Sequence, residues 1–227
     1  MHGDGPADTA GYLLMTRLDG VRWTDRRPID DCRADGGADE RGRPRSARLL
    51  HSVPGPCFGQ LLDGDERWPT SWASVAARAA RLLDEYPRAG GPANLACRVA
   101  DFVRDHRPAW SSDQTPVLCH DDFIDGNLLI SDDADPQVCG VVDFERASWD
   151  DPCSDLAQTR LHLRHHNPAN ASVLTEAYGI NGADEHQRLE VYEVLHALRE
   201  RTWIAYDRPN GWRESVAALD QLLTERT

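Results

Sequence analysis

Five residues near the middle of the chain have types and spacing that can do chemistry. They are His120, Asp121, Asp122 and Asn127 in the run His120-Asp-Asp-Phe-Ile-Asp-Gly-Asn127, and Asp143 sixteen residues later. A carboxylate and a side-chain amide oxygen brought to one point are hard oxygen ligands of the kind that suit Mg2+. A second carboxylate beside them can orient a hydroxyl and accept its proton. Phosphoryl transfer requires that set, because its catalysis is mostly positioning plus neutralisation of charge by metal. Taken singly, Asp122 and Asn127 read equally well as turn formers, since both side chains bond their own backbone in loops. Asp143 tips the balance towards a site.

The flanking residues supply the elements that would bring these groups together. Pro116-Val-Leu-Cys119 reads as a strand and His120–Gly126 as a loop. Asn127–Ile130 and Val138–Asp143 read as two strands joined by a turn over 131–137. In an antiparallel hairpin centred near Asp135, residues equidistant from the turn face one another. Asn127 and Asp143, each eight positions away, then meet at the open end, where the loop from His120 also finishes. The rest of the second half is helical in pattern, over about 155–163, 171–178, 185–206 and 212–224. Upstream, Thr70 or Ser71 can cap a helix running to about Tyr86. Trp72, Val75, Ala76, Ala79, Ala80, Leu82 and Leu83 form its wide apolar face. A further helix fits 93–106. Gly11–Leu18 reads as a short strand ended by Asp19-Gly20, Ser46–Val53 as the end of a helix, and Pro54–Pro69 as loop. Val21–Arg45 holds seven Arg and few apolar residues and has no period of 3.6 or 2, so a loop or disordered insert is expected there. The sum is an α+β chain, mainly α, with a small β-hairpin at the candidate site.

Composition narrows the partners. The chain of 227 residues has a formal charge of −13, and all 25 of its basic residues are Arg. Such a surface repels phosphate backbones, which argues against nucleic acid as a partner. It would suit a cationic substrate, but solubility is the stronger account of the excess acid. No run of about 18 apolar residues offers a membrane span. The first residues lack the basic and apolar segments of a secretory signal, so a cytoplasmic location is expected. The six Cys lack zinc-knuckle spacing and read as ordinary thiols. His162, His165 and His166 read as a solvated helix end rather than a metal site. Trp72, Trp203 and Trp212 read as packing between helices.

These motifs carry a resemblance. VLCHDDFIDGN resembles the catalytic loop of the aminoglycoside phosphotransferase and choline kinase family, His-Gly-Asp followed by four residues and Asn. VVDFERASWDDPCSDLA is similar to that family's metal-binding strand and the Gly-Asp-Pro-x-x-Asp-Leu-Ala segment after it. GYLLMTRLDG resembles its hinge, and LLHSVPGPCFGQLLDGDERWPTSW the stretch that follows. The likeness covers most of 11–160, with a break at 21–45. It implies a protein-kinase-like C-terminal lobe, Mg2+ and ATP as cofactors, and phosphoryl transfer to a hydroxyl of a small molecule. By this resemblance Asp122 is the catalytic base, Asn127 and Asp143 hold Mg2+, His120 braces the loop and Asp155 anchors it. The carbonyl of Thr16 and the amide of Leu18 bind adenine, and Glu145 lines the metal or substrate site. Asp125, Glu145, Asp150 and Glu176 are acidic candidates to meet an amine. Two positions depart from the pattern: Asp121 and Asp150 stand where the family has Gly, and Asp121 is tolerable where the backbone does not need positive φ.

Residues 1–20 leave room only for a remnant of the family's N-terminal sheet lobe and its hinge strand, with 21–227 as the helical lobe. The Gly-rich loop and the phosphate-gripping Lys have no counterpart here. Expectation therefore divides between a phosphotransferase and a catalytically inactive remnant or small-molecule-binding pseudokinase. An uncovered lobe surface is also expected to promote self-association. A metal-dependent phosphohydrolase using His120, Asp121 and His51 is a further alternative, but that fold is all-helical and the residues around His120 read as strands.

Overall fold

A computed structural model describes residues 18–26, 39–61, 66–110, 114–133, 136–166 and 168–227. Among the described residues, eight α-helices pack around two small antiparallel sheets. The helices are α1 (Trp23–Arg26), α2 (Asp39–Leu50), α3 (Ser71–Arg88), α4 (Ala93–Asp105), α5 (Pro152–His166), α6 (Pro168–Tyr178), α7 (Ala183–Asp207) and α8 (Trp212–Arg226). The strands are β1 (Val21–Arg22), β2 (Gly59–Gln60), β3 (Val117–Cys119), β4 (Leu128–Ile130), β5 (Val138–Val141) and β6 (Ser148–Asp150). The mainly helical α+β architecture with a small hairpin expected from the sequence is the architecture observed.

The helical core follows from apolar spacing. Thr70 caps α3 by accepting a hydrogen bond from the Ala73 amide (3.2 Å), and Val75, Ala79, Leu82 and Tyr86 recur on one buried face. Leu95, Val99 and Val103 do the same for α4. Helix α7 is the spine. It is buried on most sides of its middle turns, from Leu189 to Leu198, and packs against α3, α4, α5 and α8. The Glu185 carboxylate starts it by accepting from the Gly182 amide (2.8 Å), and Arg208 ends it in the left-handed region (φ 54°).

One sheet runs β1-β4-β5 and the other β2-β6-β3. In the first, Leu128 pairs with Val141 and Leu129 with Gly140, but Ile130 pairs with Val138 across a bulge. The expected facing of Asn127 and Asp143 is therefore shifted by one residue. The Val142 amide donates to the Asn127 carbonyl (3.0 Å), and Asp143 lies just beyond, in the left-handed region. Ile130 and Val138 are equidistant from position 134 rather than Asp135, which alone would move the facing by two residues, and the extra β5 residue of the bulge restores one of them.

The Arg-rich stretch differs from expectation at both described ends. Val21–Arg22 adds a third strand to the hairpin sheet, Trp23 opens α1, and α2 is helical from Asp39. Trp23 and Ala47 form a second small core with Phe123, Leu128 and Ile130. Arg43 is buried with its guanidinium 4.8 Å over the Trp23 ring, paired to Asp125 of the loop. Gly20 makes the entry possible: at φ 145° it brings the chain so close that a Cβ would lie 2.7 Å from the Cys139 sulfur. The proposed hinge strand at 11–17, Thr16 included, lies outside the described residues. Leu18 is described, and its side chain lies against Gly140 of β5.

Candidate active site

The loop from His120 to Asn127 leaves β3 and enters β4, and one buried carboxylate holds its start. Asp155, in the first turn of α5, accepts the His120 amide at Oδ2 (2.8 Å) and the Asp121 amide at Oδ1 (2.7 Å). His51, at the end of α2, places Nε2 3.2 Å from Asp155 Oδ2 and Nδ1 2.8 Å from the Tyr178 hydroxyl. Three ligand-type atoms, from His51, Cys119 and Asp155, lie within 4.8 Å of one another. Both Asp155 oxygens and both His51 nitrogens already have protein partners, so this cluster is a brace. Asp155→Asn leaves one of those backbone N–H groups facing an NH2, and a buried unsatisfied donor costs about 1–3 kcal/mol. A loss near 3 kcal/mol in urea unfolding is expected, and a loss under about 0.5 kcal/mol would contradict the brace.

His120 turns inward. Its Nε2 lies 2.9 Å from the Val142 carbonyl and its ring meets Phe144 edge-on at 4.6 Å, so it ties the loop to the end of β5. His120, Asp121 and His51 point to separate partners, which removes the shared-metal arrangement of the hydrolase reading.

Asp122 points the other way, and its carboxylate is 23% exposed. The Asn127 amide Nδ2 donates both to the Asp122 carbonyl (2.9 Å) and to its Oδ2 (3.1 Å). That leaves the side-chain oxygen Oδ1 of Asn127 unclaimed among the described residues. Asp143 is exposed and its carboxylate has no described partner. An uncommitted amide oxygen and an uncommitted carboxylate at the open end of one hairpin fit a hard divalent cation.

Asp121 is in the left-handed region after all (φ 59°), where a Gly would sit without strain. Its carboxylate is buried and accepts from the Ser148 hydroxyl (2.6 Å) and the Ser154 hydroxyl (3.2 Å). Asp150, the other departure, is also buried. It accepts from the Tyr192 hydroxyl (3.0 Å) and pairs with Arg78 of α3. Arg78 also donates to Ser154 (3.2 Å), so one guanidinium serves both acids. Burial works to lower the Arg78 pKa, but Asp150 and Asp121 outweigh it and hold the group above its ordinary value. For Asp121, burial is likewise outweighed, by Arg78, Arg199 and His196, and the carboxyl is held below the usual range. Arg78 carries no local sequence signal as their partner, although two acids in place of two glycines imply a compensating cation.

His196 of α7 borders the same network, with Nε2 2.9 Å from the Ser154 carbonyl. Burial first, then the Arg199 charge, push its pKa well below 6.5. The unfolded chain thus takes up a proton that the folded chain refuses, and this contribution to stability is present above pH about 6.5 and lost on acidification. The unfolding free energy is expected to fall by up to about 1.4 kcal/mol per pH unit as pH drops from about 6.5 to 5. His196→Gln should flatten that slope, and an unchanged slope would rule His196 out as its source.

A cleft of about 1050 Å3 opens beside Asp122. Glu145 and Arg146 line it from the turn after β5, and Gln158 and His162 from α5. Arg199, Glu200 and Trp203 enter from α7. Trp203 is 59% exposed there and does not pack between helices as expected, whereas Trp72 and Trp212 do. Of the acids suggested to meet an amine, Glu145 is in the cleft, Asp125 and Asp150 are paired to arginines, and Glu176 is exposed on α6. The side chains of His165 and His166 lie outside the described residues.

The sequence matches the Phosphotransferase enzyme family over residues 2–192. The chain belongs to that family. Solved structures of similar fold include a thermostable mutant of aminoglycoside phosphotransferase APH(4)-Ia, at 16% identity and TM-score 0.66, covering 92% of this chain and 69% of that one. The GDP and kanamycin complex of an APH(2") enzyme aligns at 14% identity and TM-score 0.60, covering 92% and 68%. A choline/ethanolamine kinase family protein from Mesorhizobium loti aligns at 18% identity and TM-score 0.51, covering 83% and 78%. No curated protein matches. Among the described residues of this phosphotransferase-family chain, no helix is long and apolar enough to cross a membrane.

Proposed function

We propose that this chain transfers the terminal phosphoryl group of ATP to a hydroxyl of a small molecule bound in the cleft. The observation that carries the reading is the placement of Asp122. Its carboxylate faces the cleft while Asn127 fixes its orientation from behind. Asp122 orients the acceptor hydroxyl and takes its proton as the new O–P bond forms and the bond to the nucleotide's leaving oxygen breaks. Asn127 and Asp143 are the residues that would hold Mg2+, which when bound neutralises phosphate charge. Asp155, through the His120 and Asp121 amides, keeps the loop in place for this geometry. Leu18 stands where the resemblance places the end of the nucleotide hinge. Structural neighbours include complexes with AMP-PNP and hygromycin B and with GDP and kanamycin, which supports a nucleotide donor and a small-molecule acceptor.

Calorimetry with Mg-ATP tests the nucleotide half of this reading. The wild-type chain is expected to bind, and Asp143→Ala to weaken binding at least tenfold, or about 1.4 kcal/mol. Equal binding by both proteins would remove Asp143 from the metal site. No binding by a folded wild-type chain would favour a phosphotransferase-family chain that does not transfer.

A further inference from the structure

Arg43 is a buried charge with no task in the transfer mechanism. Its side chain is 1% exposed and belongs to α2, outside both the catalytic loop and the hairpin. Nη2 donates to Asp125 Oδ1, and the guanidinium lies over the Trp23 ring. Nε and Nη1 have no hydrogen-bond partner among the described residues. Burying a guanidinium with two idle donors costs stability, and a buried ion pair is often no better than apolar packing of the same volume. The best-attested use of such a pair is to fix one arrangement out of several. Here the arrangement is the end of the catalytic loop. Asp125 opens the single turn Asp125–Asn127, in which the Leu128 amide donates to the Asp125 carbonyl and the Asn127 amide to the Ile124 carbonyl (3.0 Å). A Cβ on Gly126 would meet no atom within 4 Å, so packing does not lock the middle of that turn. The same helix also braces the start of the loop, because His51, just past Leu50, meets the Asp155 carboxylate that accepts the His120 and Asp121 amides.

We infer that Arg43 is a positioning residue: by tethering Asp125 it fixes the turn that presents Asn127. Asn127 Nδ2 donates to Asp122 Oδ2 (3.1 Å) while its Oδ1 is left for the metal side, so a turn that swings loosens both at once. Arg43 acts through Asp125 and not on a reacting atom. The task of Asn127 in holding Mg2+ rests on the phosphoryl-transfer reading above, whereas the tether does not. Groups that orient a metal ligand from behind typically change metal affinity by about 10–100-fold when removed.

The test is amide hydrogen exchange of the full chain without nucleotide, followed by calorimetry with ATP at varied Mg2+. In Arg43→Met the peptide carrying the Asn127 and Leu128 amides is expected to exchange about tenfold faster, with the amides of α7 unchanged. Loss of global stability would instead speed both together, so α7 separates positioning from folding. Asp125→Asn is expected to match Arg43→Met, and the double variant to go no further than either, because both residues act through one contact. Arg43→Lys keeps a cation and is expected to stay within about threefold of wild type. Asp125 is the more exposed partner, so Asp125→Asn keeps the test decisive where Arg43→Met proves poorly folded by circular dichroism. The Mg2+ concentration that half-saturates ATP binding is expected to rise about tenfold in both single variants. Unchanged exchange at 127–128, an equal rise in α7, or additive effects in the double variant overturns the tether. Faster exchange with an unchanged Mg2+ requirement overturns the positioning role and leaves a structural pair. A wild-type chain that binds no Mg-ATP sinks the transfer reading, and the exchange measurement then still decides for or against the tether.

Discussion

Asp122→Asn is expected to lower kcat by about 10²–10⁴-fold, the range set by removing a positioned general base. The change is nearly isosteric. The Asn127 amide keeps a neutral oxygen to donate to, and the carboxylate lost is partly exposed, so its removal leaves no buried charge unpaired. Stability should stay within about 0.5 kcal/mol of wild type, as for surface substitutions generally. An intact thermal melt with transfer reduced to background is therefore the expected pair of results. A variant retaining more than about a tenth of wild-type turnover would show that Asp122 only positions the hydroxyl, because loss of proton transfer in the transition state costs at least about a hundredfold. Asn127→Ala gives a second readout. It removes both the orienting N–H group and the free amide oxygen, so a raised Mg2+ requirement is expected along with the loss of rate.

The residues of this site were legible because they are local. Asp122, Asn127 and Asp143 are joined by one loop and one hairpin, and antiparallel pairing about the turn brings them together to within one residue of the observed register. The one-residue difference comes from where the turn is centred, at 134 by the Ile130–Val138 pairing, and the bulge between Leu129 and Ile130 partly offsets it; neither leaves a period-2 signature in strands of three and four residues. The second sheet was missed for a related reason. β2 and β6 are two and three residues long, too short for alternation to register, and they are defined by pairing partners far along the chain. Helices α3 and α4 could be read because each repeats its apolar face over several turns. The Arg-rich segment misled in the opposite direction. Trp23 and Arg43 are buried there by contact with the loop and hairpin, and composition alone gives no sign of such contacts. His51 bracing Asp155 from 104 positions away is likewise a product of the fold, not of local sequence.

The two departures from the family pattern lead to the largest expected effect on stability. Asp121 and Asp150 replace glycines, are both buried, and share Arg78. Arg78→Met should therefore cost about 3–5 kcal/mol, since removing one partner leaves buried carboxylates uncompensated. The same logic sets a sharper test. Asp121→Gly alone relieves the left-handed backbone at φ 59°, worth about 1 kcal/mol, but strips Ser148 and Ser154 of their acceptor. Asp150→Gly alone removes the partner of Arg78 and leaves a buried guanidinium. Made together with Arg78→Met, the two glycines remove every buried charge of the set at once, and groups that act as one network are strongly non-additive. The triple variant is expected to be more stable than Arg78→Met by at least about 2 kcal/mol in urea unfolding, with the Asp155 bonds to the loop amides intact. Additive losses across the three positions would instead mean that Arg78 contributes by packing against Tyr192 rather than by charge, since its guanidinium also lies 5.7 Å over that ring. Rescue would mean that the loop carrying Asp122 is held by a charge network in which Asp121, Asp150 and Arg78 depend on one another.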